Sequence, residues 1–302
     1  MPHLGINRQN HDREQHRDPQ VPSTATGSST SLGHRLSGSH ASANFLTVAA
    51  ELFLLLRRFM AHSAMVEKLV RAATWTDRLP DQQKSIYRRV MREARLRGLR
   101  FAVGGGFASN AYTGGWRNTK DLDLFILRQD RDAMIRVLTD LSLRDYYDEK
   151  PYDRQWIYRG FDGEQIVDII WQMANQRAAV DETWVEQGPV MEVDGEEFHL
   201  IPPEEALWIK LYVMQRERCD WPDALGLISA LGPELDWPRL IDRVGVDIPL
   251  LAGVLTVFGW ICPRHAMDLP PWLWERVGAR VPDSGESRVH LLDSRPWLVP
   301  PC

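Results

Sequence analysis

Three aspartates are the residues of this sequence best placed to do chemistry: Asp121 and Asp123, one residue apart, and Asp168 inside an apolar run. Carboxylates at i and i+2 on a β-strand point to one face, so Asp121 and Asp123 can grip the same cations. Asp168 lies between Ile166-Val167 and Ile169-Ile170, where an unpaired carboxylate is costly to bury. It therefore needs a metal, a base partner or an exposed strand edge, and the bland alternative is an edge-strand aspartate. Upstream, Leu99-Arg-Phe-Ala-Val103 reads as a buried strand that runs into the glycine turn Gly104-Gly105-Gly106. Phe107 to Tyr112 then reads as a short helix whose first N–H groups face back over that turn. The pattern is a phosphate cradle beside a metal site, which suits nucleoside triphosphate chemistry supported by Mg²⁺.

The elements that must position these groups alternate between strands and helices. Strands are predicted at Leu122 to Leu127, around Gln155 to Arg159 and at Gln165 to Trp171, with a helix near Arg131 to Leu141 and a hairpin turning at Asp194-Gly195. Helices follow at Pro203 to Arg218, Pro222 to Leu231, Trp237 to Val244 and Leu250 to Ile261, and the segment from Pro263 reads as irregular because it is rich in proline. Ahead of the core, two helices are predicted, one with the stripe Phe45 to Leu56 and one from Asp81 to Leu96 before Gly98. The division expected is a tail at 1–43, basic helices at 44–98, the core at 99–201, a helical region at 202–262 and a proline-rich tail at 263–302.

The glycines and the acidic pair together resemble the nucleotidyltransferases of the DNA polymerase β superfamily, on Val103, Gly105-Gly106 and Asp121-Leu122-Asp123. The fuller run Gly105, Gly106, Ala108, Arg117, Thr119, Asp121, Leu122, Asp123, Leu124 and Phe125 is most similar to the AbiEii-like (abortive-infection toxin) branch and its bacterial relatives. The resemblance covers roughly Leu99 to Leu231 and implies an α/β mixed sheet core with flanking helices and a C-terminal helical region. It implies Asp168 as the third acidic residue, and a lysine-bearing helix followed by an Arg/Asp cluster, met by Lys210, Arg216, Arg218, Asp220 and Asp223.

The implied activity is transfer of a nucleoside monophosphate from an NTP to a hydroxyl with release of pyrophosphate. Asp121, Asp123 and Asp168 would hold Mg²⁺ or Mn²⁺; Gly104, Gly105, Gly106, Arg117, Thr119, Lys210 and Asp223 would meet the nucleotide. The implied acceptor is a tRNA 3′ end, a protein or a small molecule, with a partner encoded by a neighbouring gene if the chain serves a toxin–antitoxin or phage-defence system. A non-catalytic nucleotide-binding or antitoxin-like protein of the same fold is the alternative.

Several of these residues have plainer readings. Lys210 on an amphipathic helix, with Ala206, Leu207, Leu211 and Met214 as its apolar stripe, is equally a solvated face residue. Arg117 either reaches a phosphate or pairs with an acidic neighbour. Asp220 reads better as a helix cap, with Pro222 in the first turn.

Composition places the chain among ordinary globular proteins: 302 residues, 44% hydrophobic and 25% charged. Residues 1–43 lack any apolar period and hold five of the nine histidines, so they read as disordered, with Met60 or Met65 as alternative starts. The run Phe45 to Leu56 contains Glu51 and is too short to span a bilayer, so no membrane association is expected. Residues 1–98 carry 15 Lys+Arg against 8 Asp+Glu, whereas residues 99–262 carry 16 against 28. An acidic core does not hold long nucleic acid by itself, because phosphate contacts supply most of that affinity. The basic helices could supply it, or simply dock on the core, which is the preferred reading. Cys219, Cys262 and Cys302 are far apart without metal spacing and read as free thiols of a cytoplasmic protein. Ten of the twelve tryptophans lie from Trp156 onward, and they are expected to pack rather than stack on a base.

Overall fold

A seven-stranded sheet in the order β3-β4-β5-β2-β1-β7-β6 organises the chain. Its strands are β1 Phe101–Val103, β2 Asp121–Ile126, β3 Arg144–Asp145, β4 Ile157–Asp162, β5 Gln165–Ile170, β6 Val190–Val193 and β7 Glu196–Leu200. The computed structural model describes residues 78–193, 196–280 and 285–291. The predicted tail at 1–43, the helix at Phe45 to Leu56, the hairpin turn at Asp194-Gly195 and Cys302 lie outside them.

The sheet is mixed: β2 runs parallel to β5, and β1 parallel to β7, while β1–β2, β4–β5, β3–β4 and β6–β7 are antiparallel. The central strands β1, β2 and β5 are rich in buried apolar residues, as expected where both sheet faces are covered. Helix α1, Asp81–Leu96, buries Ile86, Tyr87, Val90 and Ala94. It packs with α3, Arg131–Asp140, and on β5. Between them in the chain, α2 spans Gly105–Thr113. The short helix α4, Glu182–Glu186, packs over β1, β2 and β7 and sets Trp184 against Phe125, with ring centroids 5.4 Å apart.

Beyond the sheet, α5 Pro203–Leu211, α6 Trp221–Leu231, α7 Trp237–Val244 and α8 Ile248–Ile261 form a helical layer. It reaches the site through α6, which packs on α2. Residues 237–261 are apolar enough to cross a membrane by length and composition, with mean hydropathy 1.9, but they break at Gly245–Asp247 into separate helices.

Three expectations are corrected here. The helix starting at Pro203 ends at Leu211, not Arg218. Trp221 Nε1 donates to the Leu211 carbonyl, and Asp220 N–H closes a tight loop onto the Val213 carbonyl. Met214 is therefore an exposed loop residue and not part of the apolar stripe. The segment after Pro263 is helical in two short pieces, α9 Pro263–Met267 and α10 Pro271–Val277. Its prolines sit in first turns, where the missing N–H costs nothing, and Leu273, Trp274 and Val277 are buried. Cys219 is a free, exposed thiol as expected, but Cys262 is disulfide-bonded, which overturns its reading as a free thiol.

Three arginines of α1 pair with carboxylates of the core, in line with the preferred reading, while the basic residues before position 78 lie outside the described residues. Arg95 pairs with Glu196 at 2.6 Å and Arg97 with Asp140 at 2.8 Å, and Arg92 approaches Glu196 at 3.9 Å. Not foreseen is the fully buried Glu205, which takes Arg239 at 2.6 Å and Arg243 at 3.1 Å and so pins α7 to α5.

Candidate active site

Register brings the acidic residues together. Asp123 stands opposite Asp168 across the parallel β2–β5 pair, and Asp168 stands opposite Arg159 across the antiparallel β5–β4 pair. Strand alternation puts Asp121 on the same face as Asp123. One carboxylate oxygen from each of Asp121, Asp123 and Asp168 lies within 4.8 Å of the others. Asp168 is 2% exposed, while Asp121 and Asp123 are half-buried.

The cluster is electrostatically expensive. Burial, then the nearby Asp121 and Asp168, push the Asp123 carboxyl up to about 8. Burial also raises Asp168, opposed by Arg159. That arginine grips Asp168 with both arms of its fork, Nε to Oδ1 at 2.7 Å and Nη2 to Oδ2 at 2.6 Å. Asp168 thus has the base partner that its apolar surroundings demand. Hard oxygen donors converging from three carboxylates fit Mg²⁺ or Mn²⁺ better than soft metals, so the residues present suit the cation implied by the resemblance.

The glycine turn lies directly against this cluster. Gly105 has φ +55°, and a Cβ there would fall 1.6 Å from Asp123 Oδ2. A side chain on Gly104 would meet the Phe125 ring at 2.2 Å. Gly104 N–H donates to the Asp123 carbonyl at 2.9 Å, which ties the turn to β2. Helix α2 begins at Gly105, two residues earlier than expected, and no side chain caps its start. Its first N–H groups are therefore suited to an anion beside the carboxylates.

The remaining expected residues fall into two groups. The Thr119 hydroxyl donates to Asp121 Oδ1 at 2.6 Å, so it orients a carboxylate. Arg117, Lys210 and Asp223 meet on the other side: Asp223 Oδ2 accepts from Lys210 Nζ at 2.8 Å and from Arg117 Nη2 at 3.1 Å. Lys210 is buried, which overturns the solvated-face reading, because two carboxylates rather than water surround its ammonium group. Asp220 does occupy the N-cap position of α6 but makes no capping bond. Its carboxylate instead takes Arg218 at 2.9 and 3.0 Å, and Lys210 at 3.5 Å. Trp171 and Trp221 spend their indole N–H groups on backbone carbonyls, those of Gln155 and Leu211.

Sequence reasoning missed Arg159, although a signal was present. The dipeptide Gly163-Glu164, with Gly163 at φ +60°, makes a two-residue hairpin between Asp162 and Gln165. Counting outward from it pairs Arg159 with Asp168. Also missed were Gln83 and Tyr87 of α1, both buried, which donate to the carbonyls of Thr119 at 2.5 Å and Lys120 at 2.8 Å. They brace the entry to β2, and nothing in the periodicity of α1 distinguishes them from core residues.

A family model described as "Nucleotidyl transferase of unknown function (DUF2204)" matches residues 83–247. No curated protein matches the chain. Among solved structures, the antibiotic-resistance factor ANT(2'')-Ia is 19% identical over 44% of this chain and 72% of that one, with a TM-score of 0.35. The lincosamide antibiotic adenylyltransferase LnuA is 14% identical over 50% of this chain and 98% of its own, at a TM-score of 0.37. A tRNA-processing enzyme is 13% identical over 67% and 58%, at 0.29. Likeness at these scores carries no statement about the substrate of this chain.

Proposed function

Because the chain belongs to this family of nucleotidyl transferases of unknown function, we propose that it moves a nucleoside monophosphate from an NTP to a hydroxyl acceptor. The acceptor oxygen forms a bond to the α-phosphorus, the bond from that phosphorus to the pyrophosphate oxygen breaks, and the hydroxyl proton leaves to a carboxylate or to water. The single observation carrying this reading is the convergence of Asp121, Asp123 and Asp168 beside the uncapped start of α2.

Each residue has a role that its surroundings support. Asp121, Asp123 and Asp168 would hold Mg²⁺ or Mn²⁺, which when bound neutralises phosphate charge and favours the ionised acceptor. Thr119 orients Asp121. Gly105 and Gly106 offer backbone N–H groups to the phosphates, whereas the Gly104 N–H is spent on the Asp123 carbonyl, so Gly104 serves by tying the turn to β2. Both oxygens of Asp168 are held by Arg159, so Asp168 orients the acceptor hydroxyl through its remaining lone pairs, and accepting a proton requires one guanidinium bond to yield.

For the acceptor, charge is the guide. The core is acidic, and Arg95 and Arg97 of α1 are engaged with core carboxylates. Among the described residues, that favours a small or cationic hydroxyl acceptor, or a protein, over long RNA, whose affinity comes mostly from basic contacts to phosphates. The test is to incubate the full chain with labelled NTPs, Mg²⁺ or Mn²⁺, and in turn total RNA, a lysate protein fraction and small polyhydroxylated amines. Label transfer with pyrophosphate release, lost in Asp121→Asn, is expected. Neither transfer nor pyrophosphate with any acceptor would contradict the reading.

A further inference from the structure

Resting on nucleotidyl transfer as proposed above, we propose that Arg117 and Arg218 are the side chains that hold the nucleotide phosphates, and that Lys210 never touches the nucleotide. Lys210 is instead the buried post on which Asp220 and Asp223 are fixed so that they aim the two arginines.

The distances and exposures divide the three cations cleanly. The Lys210 side chain is 5% exposed, with Asp223 Oδ2 at 2.8 Å and Asp220 Oδ2 at 3.5 Å. Its charge is already balanced, and reaching a phosphate would require it to leave both partners and come out of the fold. Breaking a buried pair in this way is strongly unfavourable. Arg117 and Arg218 are each 66% exposed. Arg117 uses one N–H on Asp223, and Arg218 uses two on Asp220, so most of their five donors face outward. A guanidinium held along one edge presents the other as a planar fork, the geometry that matches a phosphate.

Both arginines are also tied to elements that carry or adjoin the acidic cluster. Arg218 closes the loop between α5 and α6, where Gln215 N–H donates to the Arg218 carbonyl at 2.6 Å and a bridge joins Met214 to Cys219. Its positive field reaches Asp121, Asp123 and Asp168. The Arg117 carbonyl accepts from Asn110 Nδ2 of α2 at 2.7 Å, two residues before Thr119 touches Asp121. One arginine therefore sits in the loop that follows the glycine helix, tied to it through Asn110, and the other in the loop after α5, and the Lys210 post joins them. Arg216, in contrast, is 95% exposed and pairs with its neighbour Glu217. It makes no pair with Asp220 or Asp223 and so is not aimed by the Lys210 post.

Calorimetry on the full chain with Mg²⁺ and a non-transferable α,β-methylene ATP analogue separates the roles. Arg117→Gln and Arg218→Gln are each expected to weaken binding about ten-fold, as for loss of a charge-assisted bond, with melting temperature and adenosine affinity unchanged. Arg218→Lys, which keeps charge but loses the fork, is expected to recover only part of the loss. Lys210→Met is expected to weaken binding in the native background and to add nothing to Asp220→Asn/Asp223→Asn, because no carboxylate remains for it to hold. A full Lys210→Met effect in that double variant would make Lys210 a direct ligand and overturn the inference. So would unchanged affinity in both arginine variants. A native chain that binds no analogue with Mg²⁺ or Mn²⁺ would instead remove the nucleotidyl-transfer reading on which this one rests.

Discussion

The carboxylates of the site stand on adjacent strands, whereas its cations stand on a helix end and two loops, and the two groups are held by different means. Asp121, Asp123 and Asp168 owe their convergence to sheet register, and a one-residue slip of β2 would turn the first two to the opposite face. Arg117 and Arg218 stand on loops and owe their places to ion pairs with Asp223 and Asp220, which Lys210 of α5 joins at the start of α6. A sheet can force like charges together and make the metal-free state costly, which prepares a cation site. Loops joined by ion pairs can shift as phosphates arrive.

The carboxylate side should break most severely. Asp123→Asn is expected to lower transfer by about 10³-fold while the fold persists, since the change keeps volume and removes charge. A loss below about ten-fold, measured by pyrophosphate release, would show that β2 is not the catalytic strand.

Next in size is the support behind it. Arg159→Gln leaves Asp168 buried and unpaired, at a cost of about 3 kcal/mol in chemical denaturation. Arg159→Lys should fall between the two. A change under about 1 kcal/mol would mean that Asp168 finds another partner.

A subtler effect follows from pH. The unfolded chain gives up the Asp123 proton near the ordinary value of 3.8, whereas the folded chain keeps it to about 8. Between those values the native state binds more protons, so this contribution is fully present below about pH 4 and is lost toward pH 8. The melting temperature of metal-free native protein, less that of Asp123→Asn, should fall over this window. The stabilisation by added Mn²⁺ should grow over the same window, since only ionised carboxylates bind it. A flat or rising difference would contradict the crowding of the three carboxylates.

The smallest effect expected is on α1. Arg92→Gln/Arg95→Gln removes exposed pairs with Glu196 and should cost no more than about 0.5 kcal/mol, with acceptor use unchanged. Weaker RNA binding with a shallower salt dependence would reassign this helix to nucleic acid.

The same contrast explains what could be read from the sequence. Alternation in Asp121-Leu-Asp-Leu and the glycine turn are local patterns, so the carboxylate face and its cradle were legible. The partner of Asp168 was not, because Arg159 meets it across a hairpin that has to be recognised first. Lys210 could not be classed from its helix alone, since its surroundings are made by Asp220 and Asp223 beyond a loop that the helical pattern had absorbed. Prolines after residue 262 suggested irregular chain, but in first turns they start helices.

The central claim is that the Asp121, Asp123 and Asp168 face binds cations for the sake of a nucleotide. Its most direct measurement is calorimetric titration of the full chain with NTP, in Mg²⁺ or Mn²⁺ and again in EDTA. Binding with the cation and none in EDTA is the predicted result; equal affinity in both would contradict the account.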